Sequence, residues 1–204
     1  MENVVVVPGI GGSGDAHWQS LWERRRPQLR RFQPASWDQP ALDDWVSALD
    51  RAVASSPVPP VLVAHSLACL LVAHWSVISQ RETAGAFLVA VPDPQSSSFP
   101  QAAAGFGGVP EGALRFPSLI VASTSDPFST IDYAKLRARQ WGSRLVEVGP
   151  LGHINASSGV GEWPKGWSLL QEFLAQDVSM ARRVTRPRDA SGSNPLEAGL
   201  RQLD

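Results

Sequence analysis

The sequence contains little that would support crosslinking, export or membrane insertion. It has one cysteine, Cys69, in 204 residues, so an internal disulfide cannot form. The amino-terminal stretch MENVVVVPG lacks a basic region, and its apolar run is too short for a signal peptide. No segment approaches the roughly 20 apolar residues of a membrane span. We therefore expect a cytoplasmic protein with no membrane attachment.

An excess of charge of one sign is also lacking. The formal net charge is −1, and basic residues cluster only in 23–31 (ERRRPQLRR) and 181–188 (ARRVTRPR). A nucleic-acid surface is one interpretation of these clusters, but a solvated helix face and a flexible tail account for them better. We expect no nucleic-acid partner, and the sequence makes no prediction of oligomeric state.

Short apolar runs alternate with helical patterns along most of the chain. The runs are continuous rather than alternating, which is typical of strands buried on both faces of a parallel sheet. The sequence predicts an α/β protein, a three-layer α/β/α sandwich with a mostly parallel sheet of about six strands. The expected strands lie at or near 3–7, 31–37, 61–64, 84–93, 118–126 and 143–149, and the expected helices at 17–26, 41–54, 67–78, 129–141 and 166–176.

The length and the 43% content of apolar residues suit one globular domain, which we place at residues 1–177. From residue 178 the composition turns polar, with proline, glycine, serine and arginine. Residues 178–204 are therefore predicted to form a flexible tail, to which the sequence assigns no function.

The residues directly after each strand are the candidates for chemistry, because open parallel sheets bind ligands outside the carboxyl ends of their strands. Ser66 follows the third strand and precedes an apolar helix, in AHSLA. A nucleophile elbow requires this strand–turn–helix context and small residues two positions before and after the serine. Ala64 and Ala68 occupy those positions, where glycine is usual. The alternative interpretation is a serine that only caps the helix.

A serine nucleophile needs a base to take its proton, and the chain has four histidines. His153, in GPLGHINAS after the last strand, is the candidate base. His65 adjoins Ser66 and is expected to point away from it and pack beside the site. His17 begins the first helix near a glycine-rich loop. We expect His17, Trp18 and His65 to line the pocket.

The base in turn needs a carboxylate, for which two aspartates compete. Asp126 follows the fifth strand and Asp93 the fourth. Either could instead be a turn residue, since Asp-Pro commonly opens turns. With Asp126 as the acid, the order Ser, Asp, His along the chain is the order found in α/β-hydrolases.

Acyl transfer also needs backbone donors for an oxyanion. One expected donor is the amide of Leu67, directly after the candidate nucleophile, and the other lies in the loop PGIGGSG after the first strand, at Ile10 or alternatively Gly11. The loop lacks the residues of a phosphate-binding P-loop. We expect no metal and no cofactor.

Four stretches, VVPGIGG…HWQSLWE, VLVAHSLAC, VASTSDPF and LGHINASSGVGEWPKG, together resemble the small serine hydrolases of the retinoblastoma-binding-protein 9 and YdeN type. The resemblance covers about residues 3–176. It implies a compact α/β-hydrolase fold, with Ser66 as nucleophile, Asp126 as acid and His153 as base. Only 94–115 could form a lid, so the implied substrate is a small ester, amide or acyl compound.

Two functions remain open at this stage. The first is a serine hydrolase, esterase-like, that works through an acyl-enzyme. The second is a non-catalytic protein-interaction module on the same fold, suggested by the eight tryptophans and the basic stretch 23–31. A separation of Ser66 Oγ and His153 beyond about 4–5 Å would favour the second.

Overall fold

The structure is a computed structural model that describes residues 3–181. Its strands are β1 (Val4–Val7), β2 (Arg30–Arg31), β3 (Val61–His65), β4 (Gly85–Val89), β5 (Ser118–Ala122) and β6 (Arg144–Glu147). Its α-helices are α1 (Trp18–Arg25), α2 (Leu42–Ala54), α3 (Leu67–Ile78), α4 (Ile131–Trp141) and α5 (Pro164–Phe173). The six strands form one sheet in the order β2-β1-β3-β4-β5-β6, and every pairing is parallel.

Helices cover both faces of this sheet, which explains why its central strands are apolar throughout. The side chains of β1, β3, β4 and β5 are buried at every position. One core combines alternate strand residues with residues of α2, α3 and α4, and a second core lies on the other face against α1 and α5. The predicted α/β/α sandwich with about six strands is confirmed.

The edge strand β2 is shorter than predicted and lies slightly earlier. It pairs with β1 only through Arg30 and Arg31, and the next amide, that of Phe32, donates to Val6 O at 3.1 Å. Pro34 follows two residues later and has no N–H for a sheet ladder. Of the predicted strand at 31–37, only Arg31 therefore lies in β2.

The packed domain extends beyond the predicted boundary at residue 177. A π-helical turn, Leu174–Val178, continues from α5, and the side chain of Val178 is fully buried in the core beneath α5. The apolar Val178 therefore belongs to the domain and not to a polar tail. The rest of the predicted tail, 182–204, lies outside the described residues.

Arginines of the basic stretch 23–31 have partners on the protein. Arg31 forms an ion pair with Glu23, Arg25 forms one with Glu162, and the guanidinium of Arg26 lies 3.4 Å from the ring centroid of Trp167.

Within residues 3–181, no helix is both long and apolar enough to cross a membrane.

Candidate active site

Ser66 lies on a strained turn between β3 and α3. Its φ of 56° and ψ of −127° are unusual for a residue with a side chain, and strain of this kind concentrates at functional sites. The serine makes no side-chain capping hydrogen bond to α3, so the interpretation as a helix cap is wrong. Ala64 and Ala68, on either side of the turn, are both fully buried.

The glycine-rich loop approaches this turn closely because residue 9 has no side chain. A Cβ atom on Gly9 would lie 3.0 Å from His65 O and 3.1 Å from Ser66 Cβ. A side chain at position 9 would therefore push the loop away from Ser66.

The structure brings Ser66, Asp126 and His153 together from three strand ends. His153 Nε2 lies 2.8 Å from Ser66 Oγ, and His153 Nδ1 lies 2.9 Å from both carboxylate oxygens of Asp126. Because an ionised carboxylate only accepts hydrogen bonds, Nδ1 carries the ring proton and Nε2 can accept the serine proton. This arrangement can move a proton from Ser66 to His153 without any side-chain rearrangement.

Asp93, the alternative acid, holds a turn. Its Oδ1 accepts from the amide of Gln95 at 2.8 Å, while its own amide donates to Phe128 O at 2.9 Å. Asp126 also accepts from a nearby amide, that of Phe128, at 2.9 Å. Asp126 therefore serves as a turn residue and as the partner of His153, whereas Asp93 serves only the turn.

Two further histidines, His17 and His65, line the cavity beside Ser66 and His153. The rings of His17 and His65 are 4.7 Å apart between centroids, and those of His65 and His153 are 5.0 Å apart. His65 Nε2 donates to the backbone carbonyl of His153 at 2.9 Å. His17 Nδ1 accepts from the amide of Gln19 at 3.2 Å and so caps the start of α1.

Burial keeps both of these histidines neutral. It lowers the pKa of His17 from 6.5 to about 4, and the charge of Arg31 contributes to the same shift. Burial also lowers the pKa of His65 well below its usual value. Near neutral pH, each ring therefore carries one proton and offers one donor and one acceptor.

Trp18 does not line the cavity, so that prediction is wrong. Its ring is fully buried in the core on the α1 side of the sheet, because the first turn of α1 directs it inward. Its Nε1 donates to Ile154 O at 2.8 Å, on the residue after His153. Ile154 has a positive φ of 48°, which is unfavourable for a β-branched residue, and this buried bond helps to hold it. Trp18 thus supports the loop that carries His153.

Backbone amides near Ser66 differ in whether they have partners. Leu67 is the first residue of α3 and Ile10 the first of a short 3-10 turn, positions whose N–H groups have no partner within the helix. The amide of Gly11 instead donates to Trp37 O, and that of Gly12 to Gly9 O, each at 3.1 Å. Ile10 and Leu67 are therefore better candidates for binding an oxyanion than Gly11.

The cavity over Ser66 has a volume of about 350 Å³ and largely apolar walls. Its apolar lining residues are Ile10, Leu67, Pro92, Phe99, Pro100, Phe128 and Ala156. No lysine, arginine, aspartate or glutamate within residues 3–181 lines it, and that part of the chain contains no cluster suited to a metal ion.

Sequence reasoning did not identify Phe128 or Asn155 as lining residues. Each lies two positions beyond a predicted catalytic residue, Asp126 and His153 respectively. This two-residue spacing was the one sequence feature that could have identified Phe128 and Asn155 as lining residues.

The fold is that of the α/β hydrolases. The sequence model of the serine hydrolase family matches residues 4–172, and the chain belongs to that family. Comparison with curated proteins gives no match.

Solved structures agree with this assignment. A YdeN-like hydrolase from Pectobacterium atrosepticum is 35% identical, with a TM-score of 0.75, over 87% of this chain and 91% of its own. The ydeN gene product from B. subtilis is 21% identical, with a TM-score of 0.70, over 86% of this chain and 100% of its own. The esterase domain of a Rhodothermus marinus protein shares the fold at 15% identity and a TM-score of 0.62, over 87% of this chain and 88% of its own.

Proposed function

We propose that the protein hydrolyses small uncharged esters, or related amide or acyl compounds, through an acyl-enzyme on Ser66. The observation that carries this proposal is the hydrogen-bonded series from Ser66 through His153 to Asp126, with the spacings given above, in which Ser66 and His153 line a largely apolar cavity. The 2.8 Å separation of Ser66 Oγ from His153 Nε2 also argues against a non-catalytic module, for which a scattered arrangement is expected.

In the first step, Ser66 Oγ attacks the substrate carbonyl carbon while His153 Nε2 takes the hydroxyl proton. Asp126 keeps the other ring proton on Nδ1 and stabilises the imidazolium that forms. The tetrahedral intermediate collapses when the bond to the leaving group breaks, and His153 returns the proton to the departing alcohol or amine. The acyl group then remains on Ser66.

Water completes the cycle by the same route. His153 removes a proton from the water as its oxygen attacks the acyl carbon, and then protonates Ser66 Oγ as the acid leaves. In both halves the carbonyl oxygen becomes negative. The amides of Leu67 and Ile10 are the donors we assign to it, because their positions leave both N–H groups without an intrahelical partner.

The substrate class follows from the walls of the cavity. A charged group close to the reacting carbonyl would lose its hydration without gaining an opposite charge, because the lining residues include no ionised side chain. The volume of about 350 Å³ suits a short acyl chain with a small leaving group.

A fluorophosphonate probe tests the proposal directly. The wild-type protein should be labelled covalently, and Ser66→Ala should not be, because the probe reacts with an activated serine. Turnover of p-nitrophenyl acetate and butyrate should fall in parallel, by about 10³-fold or more. Equal labelling of both proteins would contradict the assignment of Ser66.

A further inference from the structure

A second polar group in the cavity wall has no partner on the protein. His17 is buried, with 4% of its surface exposed, and it lines the cavity over Ser66. Its Nε2 atom makes no hydrogen bond. Buried polar atoms of this kind are uncommon because an unmade hydrogen bond is costly, so the atom calls for an explanation.

The hydrogen bond at the other ring nitrogen determines the character of this atom. The amide of Gln19 donates to His17 Nδ1, so Nδ1 has no proton and acts as an acceptor. The ring is neutral at ordinary pH because its pKa is lowered to about 4. The one ring proton therefore resides on Nε2, which is a neutral donor.

The polar side chains next to His17 already have hydrogen-bond partners on the protein. Ser13, which also lines the cavity, donates its hydroxyl proton to Gln19 Oε1 at 2.7 Å. Arg31, the nearby cation, uses its guanidinium on Gly12 O, Ser20 Oγ and Glu23. On this side of the cavity, His17 Nε2 is the buried donor that has no partner on the protein within the described residues.

We propose that the Nε2–H of His17 donates a hydrogen bond to an uncharged oxygen of the bound substrate other than the scissile carbonyl oxygen. The ring of His65 adjoins the rings of both His17 and His153, with centroid spacings of 4.7 and 5.0 Å, so we assign His17 to an oxygen outside the reacting carbonyl. An ether, hydroxyl or second carbonyl oxygen fits this donor. A carboxylate does not, because no cation lines the cavity.

This inference deepens the proposed function and rests on it. A site built to hydrogen-bond a substrate oxygen discriminates against the analogue that lacks it, because the donor is then left without a partner. The protein should therefore prefer oxygen-bearing esters over hydrocarbon esters of the same length.

Two substitutions of His17 separate the roles of its two ring nitrogens, Nδ1 as helix cap and Nε2 as donor. In His17→Asn, the side-chain oxygen replaces Nδ1 as helix cap, and the donor at the Nε2 position is lost. In His17→Gln, the longer amide can place an N–H near the Nε2 position, while the cap is weakened. Each variant thus removes one role of the histidine and retains the other.

Two isosteric substrate pairs measure the effect on kcat/KM. On the acyl side, p-nitrophenyl methoxyacetate is compared with p-nitrophenyl butyrate, and on the alcohol side, methoxyethyl butyrate with butyl butyrate. Dividing the ratio within each pair by its wild-type value removes the intrinsic reactivity of the substrates. We expect His17→Asn to lower the ratio of at least one pair by roughly 10- to 100-fold, and His17→Gln to lower it by less than about threefold.

The contrary outcomes are equally definite. Unchanged ratios for both pairs in His17→Asn would overturn the inference, as would an equal loss in His17→Gln. A water molecule bonded permanently to Nε2 would give the first of these results, because both members of a pair would lose rate together. Fluorophosphonate labelling of wild type and of each variant keeps this test separate, since unlabelled wild type would reject the proposed function itself.

A spectroscopic measurement keeps the inference testable if His17→Asn does not fold. In Ser66→Ala, methoxyethyl butyrate binds without being cleaved, and the Nε2–H proton of His17 can be followed by nuclear magnetic resonance. A shift with methoxyethyl butyrate but not with butyl butyrate supports the inference. The same response to both esters, or no response to either, overturns it.

Discussion

The base loop (residues 149–158) and the cover segment (residues 92–116) both line the cavity, but they are held in different ways. Side chains from distant parts of the chain hold the base loop. His65 donates to His153 O and Trp18 to Ile154 O, while the hydroxyl of Ser123 accepts from the amide of Leu151 at 2.9 Å. These partners lie on three different parts of the fold.

In the cover segment, the part around Phe99 and Pro100 that lines the cavity is held by turns within the segment. The amide of Phe99 donates to Ser96 O and that of Ala103 to Pro100 O, both at 2.9 Å. Bonds to distant residues hold the flanks of this part. The amide of Asp93 donates to Phe128 O at 2.9 Å, and His74 Nε2 donates to Phe106 O at 3.1 Å. Trp141 Nε1 donates to Pro110 O at 2.8 Å. The base loop thus positions reacting atoms through buried long-range bonds, whereas the cover segment shapes the space for substrate. Substitutions in the base loop should lower kcat, and substitutions in the cover segment should mainly affect KM or stability.

The largest expected difference concerns the two aspartates. Asp126→Asn should lower kcat by about 10³- to 10⁴-fold, because an amide would favour the wrong tautomer of His153. Asp93→Asn, in the cover segment, should change kcat by less than about twofold, since asparagine can hold the same turn. Steady-state hydrolysis of p-nitrophenyl butyrate by both variants measures this. A larger loss in Asp93→Asn would reverse the assignment of the acid.

Acid should weaken the histidine cluster beside the base loop. The folded pKa of His17, about 4, lies below the usual 6.5, so the unfolded chain binds more protons between these values. Stability therefore falls as the pH drops from about 6.5 to about 4 and then levels off with respect to this group. His17 alone should contribute about 3 kcal/mol to this loss, and His65 acts in the same direction.

Urea unfolding at several pH values measures this contribution. The difference in unfolding free energy between wild type and His17→Asn should change by about that amount across the interval. A constant difference would mean that His17 titrates normally in the folded protein.

The smallest expected effect on kcat comes from substituting one or the other of two comparable histidines. His65 and His74 each donate Nε2–H to a backbone carbonyl, one in the base loop and one in the cover segment. His65→Phe should lower kcat roughly tenfold, because His153 O loses its donor and the base shifts. His74→Phe should reduce stability but change kcat by less than about threefold.

The control for this pair is His65→Gln, which retains a donor near the Nε2 position and should recover most of the kcat that His65→Phe loses. Equal losses of kcat in the two phenylalanine variants would remove the functional distinction between the base loop and the cover segment.

The sequence predicted the features that depend on strand ends. The order of apolar runs identified the sheet, and Ser66, Asp126 and His153 follow because each lies in the segment that leaves the carboxyl end of a strand. The structure places these three within hydrogen-bonding distance. The family and fold predictions are confirmed, while the chemical roles of these residues stay proposals.

The supports of the site could not be predicted in the same way. Trp18 was expected in the pocket and lies behind it, because the rotation of α1 about its axis depends on tertiary packing. The helix buries Trp18, Gln19 and Trp22, and a buried glutamine leaves no apolar periodicity to follow. The unpaired donor of His17 could not be predicted from the sequence either. Which ring nitrogen carries the proton depends on which one accepts the hydrogen bond from the Gln19 amide.

The burial of Val178 has a practical consequence for handling the protein. Gly85, at the amino end of β4, lies so close to Val178 and Phe173 that a Cβ there would meet them at 3.1 and 3.0 Å. The described part of the chain therefore ends, at Ala181, near the amino ends of the strands. The cavity lies at their carboxyl ends, about one strand length or roughly 16 Å away. An immobilisation tag or fluorescent label attached after residue 181 starts from the side of the domain away from the substrate entrance.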